Sequence, residues 1–573
     1  MSRHRISRPR RPVHTLPVAS SRRSWIGLPG LTGAVVIGLA ALVAYLPSLS
    51  GKFLWDDDSF VAGNDLVQAP NGLYYLWFTR QAFDYWPLSY TTFWVEWRLW
   101  GMNPAGYHLT NLVLHISSCL LIWKILTKLS VPGGFLAGLL FAVHPVNVES
   151  VAWIAQRKNA LALPFFLLSI LWYCRADMGA KGASTAATAG ARARVRPDFS
   201  GFSSRWYWLS LVAFTLGMLS KASVAVLPAI LLWTIWWRRK VTARDLVRSA
   251  PFFFISSVLV LVNIWFQTKG TGEVIRSASF MERLLGAAGV IWFYLYKAIL
   301  PLHLVFVYPQ WHIQPADPRW WVPLLAAMGV TVLLWRYRKG WSRPWLFAWG
   351  FFCLALLPVM GFVDVYFMRY ALVADHYEYI AMIAVVAAAA AGWSRWGEHS
   401  ARGANLLAGM LACTLTCLTW QQSRTYKDNQ TLFETTIARN PECWMAYHHL
   451  GVELLQSGRV SEARIFLEKT LSLNPNYPEA LNNLAVVLAE EGNLKLAIET
   501  YQRALRLKPD DTLAWINLAE DYAAAGQPSN SMAAAQTALG TARLKGHTGL
   551  IGKIEDWIAS HQQSSGTGQE TKP

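Results

Sequence analysis

The stretch LPGLTGAVVIGLAALVAYLPSLSGKFLWDDD occupies residues 28–58. Its apolar part matches the roughly 20 residues a helix needs to cross a bilayer, and exceeds the about 7–15 of a cleavable signal core. It ends in adjacent carboxylates, Asp56, Asp57 and Asp58. Seven Arg and no acid lie in the first 23 residues, so the positive-inside tendency places the N-terminus in the cytoplasm. The segment 50–107 carries six acids against three bases and many aromatics, which predicts an extracytoplasmic loop.

The composition extends this pattern to the whole chain. Of 573 residues 54% are hydrophobic, 15% are charged and 30 are Trp, against about 25% charged in soluble domains. The net charge of +18 divides unevenly: residues 1–420 carry +21 and residues 421–573 carry −3. The bases stand in short clusters between apolar runs, which positive-inside topology explains and nucleic-acid binding does not require. Six cysteines show no CxxC and no metal-ligand spacing, so no disulfide framework is implied.

Hydropathy predicts further spans near 108–129, 133–147, 159–174, 206–221, 222–237, 249–266, 319–335, 344–363, 379–396 and 403–420. The basic connections 175–205, 238–248 and 336–343 are expected in the cytoplasm, the first as a low-complexity disordered linker. These sides agree only if 284–304, which contains Lys297 and ends at Pro301, is re-entrant or lies along the surface. The expectation is therefore an all-α polytopic fold of about eleven spans over 28–420, preceded by a basic tail at 1–27. Its C-terminal part emerges on the face of the 50–107 loop.

Beyond residue 420 the sequence repeats at an offset of 34. Leu450-Gly451, Leu484-Ala485 and Leu518-Ala519 recur in step, as do Gly458, Gly492 and Gly526, and Pro441, Pro475 and Pro509. Small residues at Ala463, Ala497 and Ser531 mark close helix approach. This is the tetratricopeptide pattern, an α-solenoid of about three repeats plus a half repeat over 421–545. A helix and flexible tail follow at 546–573.

Polar residues at membrane depth indicate function. By the charge topology, three sets face one compartment. The first runs from Asp56 through Tyr85–Ser89 to Gly101-Met-Asn-Pro-Ala-Gly-Tyr-His108 and Asn111. The second is His144-Pro-Val-Asn-Val-Glu149 with Arg157 and Lys158, and the third is Arg369 with Asp375-His376-Tyr-Glu-Tyr379. Adjacent carboxylates suit a general base or, with Asp56, Asp57 and Asp58 together, a divalent metal.

These motifs, with Ser220-Lys221 and the trailing repeats, resemble the transmembrane and tetratricopeptide-repeat O-mannosyltransferase family and its bacterial relatives, of the GT-C superfamily. The resemblance implies a GT-C-like membrane domain and inverting transfer of a sugar, mannose in that family, from a polyprenyl-phosphate donor to a hydroxyl, such as Ser or Thr of a protein. It implies that Asp56 or Asp57 is the base. Arg157, Lys158, Lys221, Lys297 and Arg369 are then the candidates to bind the leaving phosphate, with His108, His144, Glu149, Asp375 and His376 as further substrate contacts. Trp86 and His376 stand where arginine is common in the family. The partners implied are membrane lipid, the donor, and a polypeptide held by the repeats, with no nucleic acid. No cofactor is required, and a divalent metal is optional. A bacterial inner membrane with periplasmic repeats is expected, the endoplasmic reticulum with lumenal repeats being the alternative. The competing function is a non-catalytic, membrane-anchored repeat scaffold in envelope or polysaccharide assembly.

Overall fold

The computed structural model describes residues 30–187, 202, 204–267, 275–546 and 548–566. The basic tail at 1–27, residues 188–201 and 203 of the expected 175–205 linker, and the final residues lie outside that description; residues 175–187, expected as disordered linker, instead continue the helix Arg157–Ala187. Among the described residues the chain is helical throughout, with no strand. Six helices are long and apolar enough to cross a membrane: Gly30–Ser50, Pro104–Lys128, Ile154–Asp177, Ala243–Gln267, Pro318–Arg336 and Ala401–Arg424. A seventh crossing arises if Gly134–Ala142 and Pro145–Ala152, bent by 53°, form one span. Two shorter apolar helices are Ala222–Arg238 and Arg343–Val359.

The outer faces of these helices are apolar, with Leu31, Val35, Leu39, Val322, Leu325 and Leu406 among the exposed side chains. Such faces are stable where hydrocarbon is the solvent. The first span packs closely at Gly33, where an added Cβ would come within 2.4 Å of the Trp123 ring. Small residues allow this approach between membrane helices.

The motif runs that looked like chemistry are largely helix starts. Asn103 caps the helix begun at Pro104 through the Ala105 N–H. The His144 ring accepts from Val146 N–H, with Pro145 at the first position of the next turn. Trp86-Pro87 opens the helix Pro87–Trp100. Proline fits the first turn because its missing N–H would have no partner there. Lys297 closes the helix Phe280–Ile299, donating to the carbonyls of Leu302 (2.8 Å) and His303 (3.1 Å).

The repeats follow the sequence pattern. Helix pairs Trp444–Gln456/Val460–Leu473, Pro478–Glu490/Leu494–Leu507 and Thr512–Ala524/Pro528–Lys545 are preceded by the single helix Asn429–Arg439. Gly458, Gly492 and Gly526 turn each pair with φ of +76°, +83° and +71°, a region that penalises any side chain. Ala463, Ala497 and Ser531 are buried. The first of these helices share a core with the membrane part: Leu432, Phe433, Met445 and Leu450 belong to the same hydrophobic cluster as Tyr45, Phe141 and Trp153.

Candidate functional site

Asp56 and Asp57 are neighbours in sequence with opposite surroundings. Asp57 is fully buried; its Oδ2 accepts from Leu54 N–H (2.8 Å) and its Oδ1 from Ala155 N–H (2.6 Å). A carboxylate at the start of the central helix suits the positive end of its dipole and satisfies an orphan amide. Asp57 thus ties the first loop to the start of the central helix. Asp56 is half-buried, and its Oδ1 has no hydrogen-bond partner. The nearby Trp153 indole N–H is also without one.

Burial pushes the Asp56 carboxyl up to about 7; the charge of Lys158 and the Trp153 indole pull it back, and Glu149 adds to the rise. Asp57 is raised further, by burial and then by Asp56. Asp58 is exposed. Among the described residues no three His, Cys, Asp or Glu side chains converge as metal ligands.

Around Asp56 the structure gathers groups from four chain segments. The Lys158 ammonium lies 4.4 Å from the Trp86 ring centre and 5.0 Å from that of Phe60, and makes no ion pair among the described residues. It exerts its charge on Asp56, Asp57, Asp84 and Glu149 alike. Lys221 lies at an extended break after the helix Arg205–Ser220 and donates to Asn159 Oδ1 at 2.6 Å. The Asn159 amide in turn donates to Gln156 (2.9 Å) and to the His376 carbonyl (3.1 Å). Glu149 accepts from His376 N–H and lies 2.9 Å from His376 Nδ1. Burial, reinforced by Lys221 and Lys158, pushes the imidazole well below its ordinary value. The backbone and ring contacts to Glu149 together fix the orientation of the imidazole.

The other expected residues are not all in this cluster. Arg157 is completely buried in a closed network: its guanidinium donates to both oxygens of Glu96 (2.8 Å each), to Asn111 Oδ1 (2.5 Å) and to the Tyr107 carbonyl (2.9 Å). His144 Nε2 meets the Ala298 carbonyl at 3.1 Å, and His108 is packed against Gly51. Lys297 holds its own helix end, and Asp375 accepts from the Tyr308 hydroxyl at 2.8 Å. Arg369 lies over Trp444 and Tyr477 of the repeats. The cations left beside Asp56 are thus lysines. Sequence reasoning missed Asp84, buried in the same field with its carboxyl raised by burial, and took Glu378 only as part of the 375–379 run, whereas among the described residues it is fully buried with both oxygens unpartnered. An acid next to Tyr85-Trp86-Pro87 was the available signal for Asp84.

Trp55 joins this site to the repeats. Its backbone is left-handed (φ +44°), a conformation that costs a non-glycine residue on the order of 1–3 kcal/mol unless its surroundings hold it. Here its N–H donates to Asn429 Oδ1 (2.9 Å) and its indole to His449 Nε2 (3.0 Å), while Trp153 stacks at 5.6 Å.

Fold and site together define an α-helical membrane protein that carries tetratricopeptide repeats against a buried polar cluster. Tetratricopeptide-repeat family models match residues 420–478 and 454–515. The human protein O-mannosyl-transferase TMTC4 is 32% identical over 179 residues, which covers 26% of this chain and 24% of that protein. Human protein O-mannosyl-transferase TMTC1 is 33% identical over 186 residues (29% and 21%), and its Drosophila melanogaster counterpart Tmtc1 is 33% identical over 171 (28% and 20%). The matched stretch spans a quarter or less of these relatives. They carry the family name to which the sequence motifs point.

Proposed function

We propose that the chain transfers mannose from a polyprenyl-phosphate donor to a hydroxyl of a polypeptide, at the membrane face that carries Asp56. The observation that carries this reading is the buried, unpartnered oxygen of Asp56 beside a lysine with no ion pair. The names of the relatives supply the sugar and the protein acceptor. In the proposed step the acceptor oxygen bonds to the sugar's anomeric carbon as the bond from that carbon to the phosphate oxygen breaks. The hydroxyl proton passes to Asp56, and the bonding pair leaves with the polyprenyl phosphate. A single displacement of this kind inverts the anomeric centre.

Positioned general bases contribute roughly 10²–10⁴-fold, and a carboxyl titrating near the working pH is well matched to the task. Lys158 and Lys221 would stabilise the charge that develops on the phosphate. The helices that begin at Pro87 and Arg157 start where Trp86 meets Lys158, and their N-terminal ends also favour an anion. His376, kept neutral by burial beside the two lysines and held in place by Glu149, would orient a sugar or acceptor hydroxyl. The extracytoplasmic side is supported by connectivity: Arg205–Ser220 starts after the basic linker and ends at Lys221, while Leu227–Arg238 ends in the next basic cluster.

The test is transfer by the purified full chain in detergent, with polyprenyl-phosphate mannose and a Ser/Thr-rich polypeptide, read by intact-mass spectrometry. A hexose on the acceptor is expected. A folded chain that yields no hexosylated product, while a known mannosyltransferase does so under the same conditions, refutes the reading and favours the scaffold.

A further inference from the structure

We propose that the first repeat and the single helix before it are part of the catalytic loop's framework, with His449 and Asn429 as positioning residues that set the direction of Asp56 through Trp55. The inference rests on the reading of Asp56 as the base.

The chain from Leu54 to Asp57 is clamped at both ends. Leu54 N–H and Ala155 N–H hold the Asp57 carboxylate, which fixes the far end of the turn to the central helix. Between them, Trp55 must turn through a left-handed conformation, and this reverses the chain so that Asp56 points toward Trp153 and Lys158. Its two polar groups both reach across to the repeat region, its N–H to Asn429 and its indole to His449. A third link is Lys52 N–H to the Lys427 carbonyl at 2.8 Å.

His449 is itself fixed. Its ring stacks on Phe433 at 5.3 Å with 15° between planes, and burial pushes it down to about 3, so it stays a neutral acceptor at any physiological pH. The repeat side is anchored separately to the membrane part. Asn440 donates to the Val307 carbonyl at 3.1 Å, Tyr370 packs on Trp444 at 5.5 Å, and Arg369 covers Trp444. The relative position of His449 and Asp56 is therefore set by packed elements rather than by a free linker. A repeat array that only captured the acceptor would need none of these contacts to the residue before the base.

The experiment compares His449→Phe, which keeps the ring packing and removes the acceptor nitrogen, with His449→Gln, which restores an acceptor, and with Asn429→Ala. Each full-length variant is assayed with polyprenyl-phosphate mannose and two acceptors, a long Ser/Thr-rich polypeptide and a short Ser/Thr peptide that cannot span the array. Rates are normalised to the folded fraction from size exclusion and thermal melting. His449→Phe and Asn429→Ala should lower kcat at least tenfold for both acceptors, leave KM for the long one unchanged, and displace the pH limb of Asp56; His449→Gln should recover most of the rate. A rise in KM for the long acceptor alone, or an unchanged kcat in folded protein, overturns the proposal. Failure of the base reading is separate: it shows as an Asp56→Asn variant that still transfers.

Discussion

Two buried polar regions lie side by side at one end of the membrane helices, and they differ in saturation. Every nitrogen of the Arg157 guanidinium has a partner: Glu96 takes two bonds, and Thr92, Asn111 and the Tyr107 carbonyl take the rest. Around Asp56, among the described residues, a carboxylate oxygen and the Trp153 indole N–H stand without hydrogen-bonded partners, and Lys158 acts on Asp56 through its charge. A saturated buried network rigidifies the fold, whereas unsatisfied polar groups in a native structure call for a ligand or a reaction to explain them. On the proposed function, the first region serves architecture and the second chemistry.

The contrast can be broken at the Arg157 side first. Arg157→Met leaves Glu96 as an uncompensated buried charge, so it should cost about 3–5 kcal/mol and appear as a large loss of melting temperature in detergent. Lys158→Met, which breaks no ion pair, should leave melting almost unchanged while transfer falls. Asp57→Asn places an amide N–H₂ against a backbone N–H and should destabilise by about 1–3 kcal/mol, visible in melting before any effect on the folded protein's rate. Gly492→Ala, at φ +83°, should cost about 1–2 kcal/mol in the repeats without changing turnover.

The smallest effect sharpens the Asp56 side. With its carboxyl at about 7, above the unfolded value, Asp56 is protonated in the fold at acid pH. Transfer should therefore rise as pH increases through about 7, while the part of the stability that comes from holding that proton is lost as pH climbs from the unfolded carboxyl's value, about 4, to about 7. Lys158 opposes the rise, so its removal should move the limb to higher pH.

The all-helical fold and the repeats were legible in the sequence because each rests on a local pattern: long apolar runs, and a 34-residue period whose glycines take a backbone conformation that penalises any side chain. Span count was less legible. Helices such as Arg205–Ser220 and Met382–Gly397 are present, but at 16 residues each they fall short of the crossing length. Which charges would be free was not legible at all. Arg157 and Lys158 are adjacent in sequence, yet one faces Glu96 and the other faces Trp86, a difference set by the opposing helices. Asp56 and Asp57 differ for the same reason, since the Ala155 amide that takes up Asp57 lies 98 positions away in the chain.

The account depends on Asp56 acting in the cluster and Asp57 holding it. The most direct measurement is hexose transfer to a Ser/Thr polypeptide by Asp56→Asn, at pH 8 and at a folded fraction matched to the wild type by melting. A fall of roughly 10²–10⁴-fold with melting retained is predicted. Transfer at the wild-type rate from the folded Asp56→Asn chain would contradict it.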